Sequence, residues 1–133
     1  MRILLIVSTL LFSACQTHMY GPDVPSELAA NLKLFEDTLR WGSLENMYLF
    51  VKREEGTPVQ VAEGLENVRV TNYESSPVRK IDEEDASRWT QTAVIDYVLT
   101  DRQIVRQLVN RQVWESEDEG ENWFLTTPVP QFR

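Results

Sequence analysis

Histidine and cysteine are nearly missing from this chain: its 133 residues hold one of each, His18 and Cys15. A lone histidine without cysteine or carboxylate at ligand spacing does not make a metal site, and it supplies no histidine-based triad or dyad to the rest of the chain. A lone cysteine forbids an internal disulfide. Basic residues are also in deficit, 13 Lys and Arg against 21 Asp and Glu, for a net charge of −8. Loss of Arg2 with an N-terminal leader makes the balance more acidic still, so nucleic acid and anionic headgroups are poor partners. The sequence contains no Gly-rich phosphate loop, no Ser or Cys nucleophile beside a base, and no carboxylate cluster on one helix face. The expectation is therefore no catalytic residue, no metal and no cofactor. The main apolar run, Ile3 to Phe12, is too short to cross a bilayer as a helix.

That run has a different use. A positive start at Arg2, the apolar stretch and a small-residue exit through Ser13 and Ala14 form a secretory leader. Leu11-Phe12-Ser13-Ala14-Cys15 resembles the lipobox of bacterial lipoproteins. The resemblance implies that signal peptidase II cuts before Cys15, which then carries a diacylglycerol thioether and an amide-linked, palmitate-type acyl chain. Ordinary signal peptidase needs a small residue three before the cut, where Phe12 stands. One acyl chain binds a membrane marginally and two or more bind it stably, so lipid on Cys15 is the expected membrane contact. Gln16, not Asp, follows Cys15; in lipoproteins of enteric type this implies the outer membrane, with the domain facing the periplasm. The chain divides into a leader over 1–14, a lipidated tether over 15–25, one domain over 26–127 and a tail over 128–133, whose Pro128 and Pro130 cannot continue a sheet interior and which reads as exposed.

Within the domain, Leu28, Leu32, Phe35 and Leu39 recur at helical spacing after Pro25-Ser26-Glu27, with Lys33–Asp37 and Glu36–Arg40 four apart on the polar side. Gly42 suits a left-handed cap, and Ser43 is placed to cap a second short helix whose apolar side is Leu44, Met47, Tyr48 and Val51. Beyond Gly56-Thr57-Pro58 the period becomes two. Val68 and Val70 alternate with Arg69 and Thr71 in a strand, polar breaks follow at Ser75 to Pro77 and Asp82 to Asp85, and two long strands run over 88–99 and 104–115. A symmetric turn over 100–103 sets Leu99 against Ile104, Tyr97 against Arg106, Ile95 against Leu108, Ala93 against Asn110, Gln91 against Gln112 and Trp89 against Trp114.

Ser116-Glu117-Asp118-Glu119-Gly120-Glu121-Asn122-Trp123 resembles the Asp-box hairpin of bacterial neuraminidase repeats. The resemblance implies a folding device built on Ser116, Asp118, Gly120 and Trp123: the aspartate binds turn amides, the glycine takes a positive φ and the aromatic packs beneath. A calcium loop is the competing reading of these acids, but its twelfth position would be Thr126, which has no bidentate carboxylate to give.

The order of elements, two helices joined through Arg40 to Glu45 and then an antiparallel meander, resembles the nuclear transport factor 2-like superfamily, which includes ketosteroid isomerase-like enzymes. It implies an α+β fold with N-terminal helices packed on a curved, cone-shaped antiparallel sheet of about four strands. Enzymes of that superfamily work inside the cone. Here Asp96 and Tyr97 are adjacent and must point to opposite faces, so they cannot share a substrate atom; Asp96 has Arg111 or Gln107 as partners on its own face. The opposite face offers Gln91, Tyr97, Arg106, Asn110 and Gln112 among Trp89, Ile95, Leu108 and Trp114. Such a face fits a small polar ligand, but a partly solvated sheet face with arginine stacked on tyrosine gives the same residues and is the preferred reading. The leading expectation is a non-catalytic, outer-membrane-anchored domain that binds another envelope protein; the alternative is a small-molecule binder or cryptic enzyme using the cone.

Overall fold

The computed structural model describes residues 20, 21 and 23–133. The leader, Cys15 and His18 lie outside the described residues.

Helix α1, Ser26–Trp41, buries Leu28, Leu32, Phe35 and Leu39, the stripe read from its spacing. Lys33 and Asp37 pair across one turn, whereas the Arg40 guanidinium lies 4.7 Å over the Trp41 ring instead of meeting Glu36. Gly42 is not a left-handed cap. It is extended, with φ −96°, and its N–H donates to the carbonyls of Asp37 and Thr38. The reason for glycine is close approach: a Cβ would stand 3.0 Å from the Thr38 carbonyl oxygen. Nor does Ser43 cap through its side chain. Its hydroxyl turns to the Glu45 carboxylate, while its backbone carbonyl accepts the Asn46 N–H at 3.0 Å. That short-range bond winds Leu44–Phe50 into a 3₁₀ helix, where residues three apart share a side; Leu44 and Met47 are accordingly its buried pair.

The sheet has five strands rather than about four: β1 Val68–Ser75, β2 Arg79–Asp82, β3 Asp85–Leu99, β4 Ile104–Glu115 and β5 Phe124–Leu125. Their order is β1-β3-β4-β5, with β2 also on β3, and every strand pair is antiparallel. The added strand is β2, which folds back on the start of β3 from the short segment between the two polar breaks. β1 outlasts its simple alternation because a bulge between Val70 and Asn72 resets the pleat, so that Val70 and Tyr73, three apart, are both buried. β3 and β4 pair in the register read from their symmetric turn, from Leu99 with Ile104 to Trp89 with Trp114.

One sheet face, carrying Trp89, Gln91, Ala93, Ile95, Tyr97 and Leu99 of β3, is buried and packs with α1 and the 3₁₀ helix. Trp114 sits at its centre, edge-on to Phe35 at 5.5 Å and Phe50 at 6.2 Å, and these two also meet edge-to-face at 5.2 Å. Such geometry is favoured by the ring quadrupoles beyond the area it buries. The tail is exposed only in part, at Pro128, Gln131 and Arg133. Val129 and Pro130 are buried and Phe132 packs edge-on against Tyr97 at 5.0 Å, so residues 128–133 belong to the domain, covering the sheet without joining it. Tyr20 and Val24 also pack against the core, which shortens the expected tether. No helix among the described residues is long and apolar enough to cross a membrane.

Candidate functional site

Because β3 and β4 alternate cleanly, four of the five polar residues expected on the inner face, Gln91, Tyr97, Asn110 and Gln112, are brought together there and buried. Their hydrogen bonds go to each other, to the side chains of Tyr73 and Trp114, and to backbone. Gln112 Nε2 donates to the Tyr73 hydroxyl at 2.9 Å and to Asn110 Oδ1 at 3.0 Å. Gln112 Oε1 accepts from Trp114 Nε1 at 3.1 Å, and Gln91 Nε2 donates to the Ser76 carbonyl at 3.0 Å. Tyr97 donates to the Arg133 carbonyl at 3.0 Å and accepts from the Arg133 N–H. A buried amide whose donors and acceptor are all occupied is a structural element, since leaving any of them unpaired costs on the order of 1–3 kcal/mol.

Arg106 is the exception. It pairs with Tyr97 in register but is exposed, while the Tyr97 ring is taken by Phe132. Tyr73, brought inward by the bulge, completes the network although sequence alternation gives no sign of it. Burial pushes its hydroxyl well above the usual tyrosine range, with the Gln112 amide opposing in part. Tyr20 is likewise raised to about 12, first by burial and then by the nearby carboxylates of Glu36 and Asp37. Neither phenol is a base near neutral pH. Asp96 lies on the other face and accepts from Gln107 Nε2 at 2.7 Å.

The second constellation is the turn after β4. Ser116 Oγ donates to Asp118 Oδ1 at 2.8 Å and accepts the Gly120 N–H at 2.8 Å. Asp118 Oδ1 also accepts the Asn122 N–H at 2.8 Å, and Oδ2 accepts from Asn122 Nδ2. Glu119 and Gly120 both have positive φ, 59° and 91°. Trp123 is buried, its Nε1 donating to the Gly120 carbonyl at 3.1 Å, and its own carbonyl accepts from Asn31 of α1. The turn thereby fastens the sheet end to the helix.

These bonds favour the charged form of Asp118, and the Asn122 amide, the Asn122 side chain and Ser116 together lower its pKa from 3.8 to about 2. A depressed folded-state value means that the stabilisation is present above the unfolded pKa and is lost as pH falls toward the folded one. Asp118→Asn should therefore be less stable than the wild type at neutral pH, with the gap closing between about pH 4 and pH 2. Parallel pH-dependent denaturation curves of the two proteins check this; a gap independent of pH would contradict it.

A third feature was not legible in the sequence. α1 residues Asn31, Leu34 and Thr38, 3₁₀ residue Leu49, and Trp123 and Phe124 line an open groove of about 640 Å³. Leu34, Leu49 and Phe124 are exposed there. The only available signal was that Leu34 and Leu49 are apolar residues lying off the buried stripes of their helices. Comparisons of the chain with protein families, with curated proteins and with solved structures return no match.

Proposed function

We propose that this protein is an outer-membrane-anchored periplasmic lipoprotein whose nuclear transport factor 2-like domain is a non-catalytic module that binds another envelope protein. The observation that carries the reading is the closed inner face. Its polar groups bond to one another and to the backbone of Ser76 and Arg133, and among the described residues no side-chain carboxylate or imidazole bonds to them, which favours a non-catalytic face. Solvent meets apolar side chains instead, among them Leu34, Leu49, Val105 and Val109, the kind of surface that protein partners cover. Tyr20 already packs on the domain, and the five residues from Cys15 to it span at most about 17 Å, which keeps the module close to the bilayer.

In-cell photo-crosslinking tests this, with the reactive residue at Leu34, Leu49, Val105 or Val109 and at Glu84 as an exposed control. Discrete protein adducts at one or more of the four sites, and none at Glu84, are expected. The absence of adducts at all four would overturn the reading. Saturable binding of a small metabolite that requires Phe132 and Arg133 to leave Tyr97 would favour the alternative, a cone-pocket binder.

A further inference from the structure

Strand β4 is nearly bare along its outer side. β5 pairs with it only at Trp114 and Glu115, and Thr126 and Thr127 take the N–H and carbonyl of Val113. Hydrogen bonds to successive residues of an antiparallel strand alternate sides. Val113 bonds outward and Ser116 bonds inward to Ser87 of β3, so the alternation turns the N–H and C=O of Val105, Gln107, Val109 and Arg111 away from β3. Among the described residues none of these eight groups has a hydrogen-bond partner, and all four residues are exposed. Val105 and Val109 are the most open valines on the surface, at 75 % and 62 %. The edge runs about 20 Å at ~3.4 Å per residue. It has no proline and no bulge, two of the devices by which sheets protect their edges.

Its charge departs from that of the chain. Between Ile104 and Trp114 stand Arg106 and Arg111 and no acidic residue, in a protein of net charge −8. Asp96, a carboxylate on the outer face of β3, accepts a hydrogen bond from Gln107. Backbone groups aligned for pairing, Val105 and Val109 on the outer face and Arg106 on the other together specify a complement: an extended segment of alternating apolar and acidic residues, its apolar side chains beside the valines and its acids beside Arg106. We propose that the β4 edge is a strand-addition site for such a segment of a partner protein. This rests on the protein-binding reading above and names the chemistry of the partner. A second copy of the chain fits less well, because its own edge brings a further Arg106 and Arg111 and no carboxylate to meet them.

The probes are nine-residue peptides alternating valine with glutamate or valine with lysine, added to the full domain and followed by anisotropy and amide hydrogen exchange. The glutamate peptide is expected to slow exchange at Val105, Gln107, Val109 and Arg111 and to bind at least tenfold tighter than the lysine peptide. Val109→Pro removes an outward N–H without touching a bond to β3 and should weaken binding at least tenfold. Arg106→Glu with Arg111→Glu should reverse the charge preference, which keeps the test decisive should the proline variant misfold. Slow exchange at the four amides without peptide, equal affinity for both peptides, or concentration-dependent dimerisation protecting the same amides would each overturn the proposal. Crosslinks in cells at Leu34 or Leu49 but not at Val105 or Val109 would defeat the edge site alone; absence at all four would defeat the broader reading.

Discussion

Trp114→Ala is expected to cost about 3–5 kcal/mol of folding stability, the range for deleting a large buried aromatic, and to fall at the upper end of it. The side chain is fully buried and is the hub on which Phe35 and Phe50 converge, one from the helix and one from the 3₁₀ turn, so the cavity cannot close from either side without moving an element. The loss extends to polarity, because Trp114 Nε1 is the donor to Gln112 Oε1, which would be left buried without it. Chemical denaturation followed by far-ultraviolet circular dichroism measures the change. A shift below about 1 kcal/mol, the size of an ordinary substitution, would show that the aromatic cluster is not the centre of the core.

Trp123→Ala should cost a comparable ~3–5 kcal/mol, through a different route. Trp123 fills the space beneath the Ser116 to Asn122 turn, where a Cβ at Gly120 would lie 3.7 Å from its ring, and its carbonyl holds Asn31 of α1. Removing it leaves the turn unsupported and loosens its bond to the helix. The unfolding midpoint should fall, and the pH dependence attributed to Asp118 should weaken with it. An unchanged midpoint would mean that the eight-residue pattern folds without its aromatic.

The β3–β4 hairpin was readable residue by residue because its alternation is unbroken and its turn symmetric, so one pairing settles all the others. The helix stripe and the turn after β4 were readable for the same reason: each is a local pattern with its own period or spacing. What escaped was made by residues distant in sequence. β2 is short and polar, and exists because β3 offers it an edge. Tyr73 enters the inner network through a bulge that breaks the period used to read β1. The segment over 128–133 looks like a tail from its prolines, yet Val129 and Phe132 supply the apolar cover that the far end of β3 needs. Gly42 suits a left-handed cap by residue type alone, whereas the structure needs it for a close approach to Thr38. Gln91, Tyr97, Asn110 and Gln112 are buried together on the inner face; what the sequence could not convey is that Arg106, in register with Tyr97, is exposed.

The anchor is the premise on which the proposed function depends, and it is carried by Cys15 and the residues before it. Metabolic labelling of cells with a fatty-acid analogue, comparing wild type with Cys15→Ser, tests it most directly. The wild type should carry the label and remain with the outer membrane, and the serine variant should carry none and be released from it; equal labelling of the two, or an unlabelled wild type, would contradict the account.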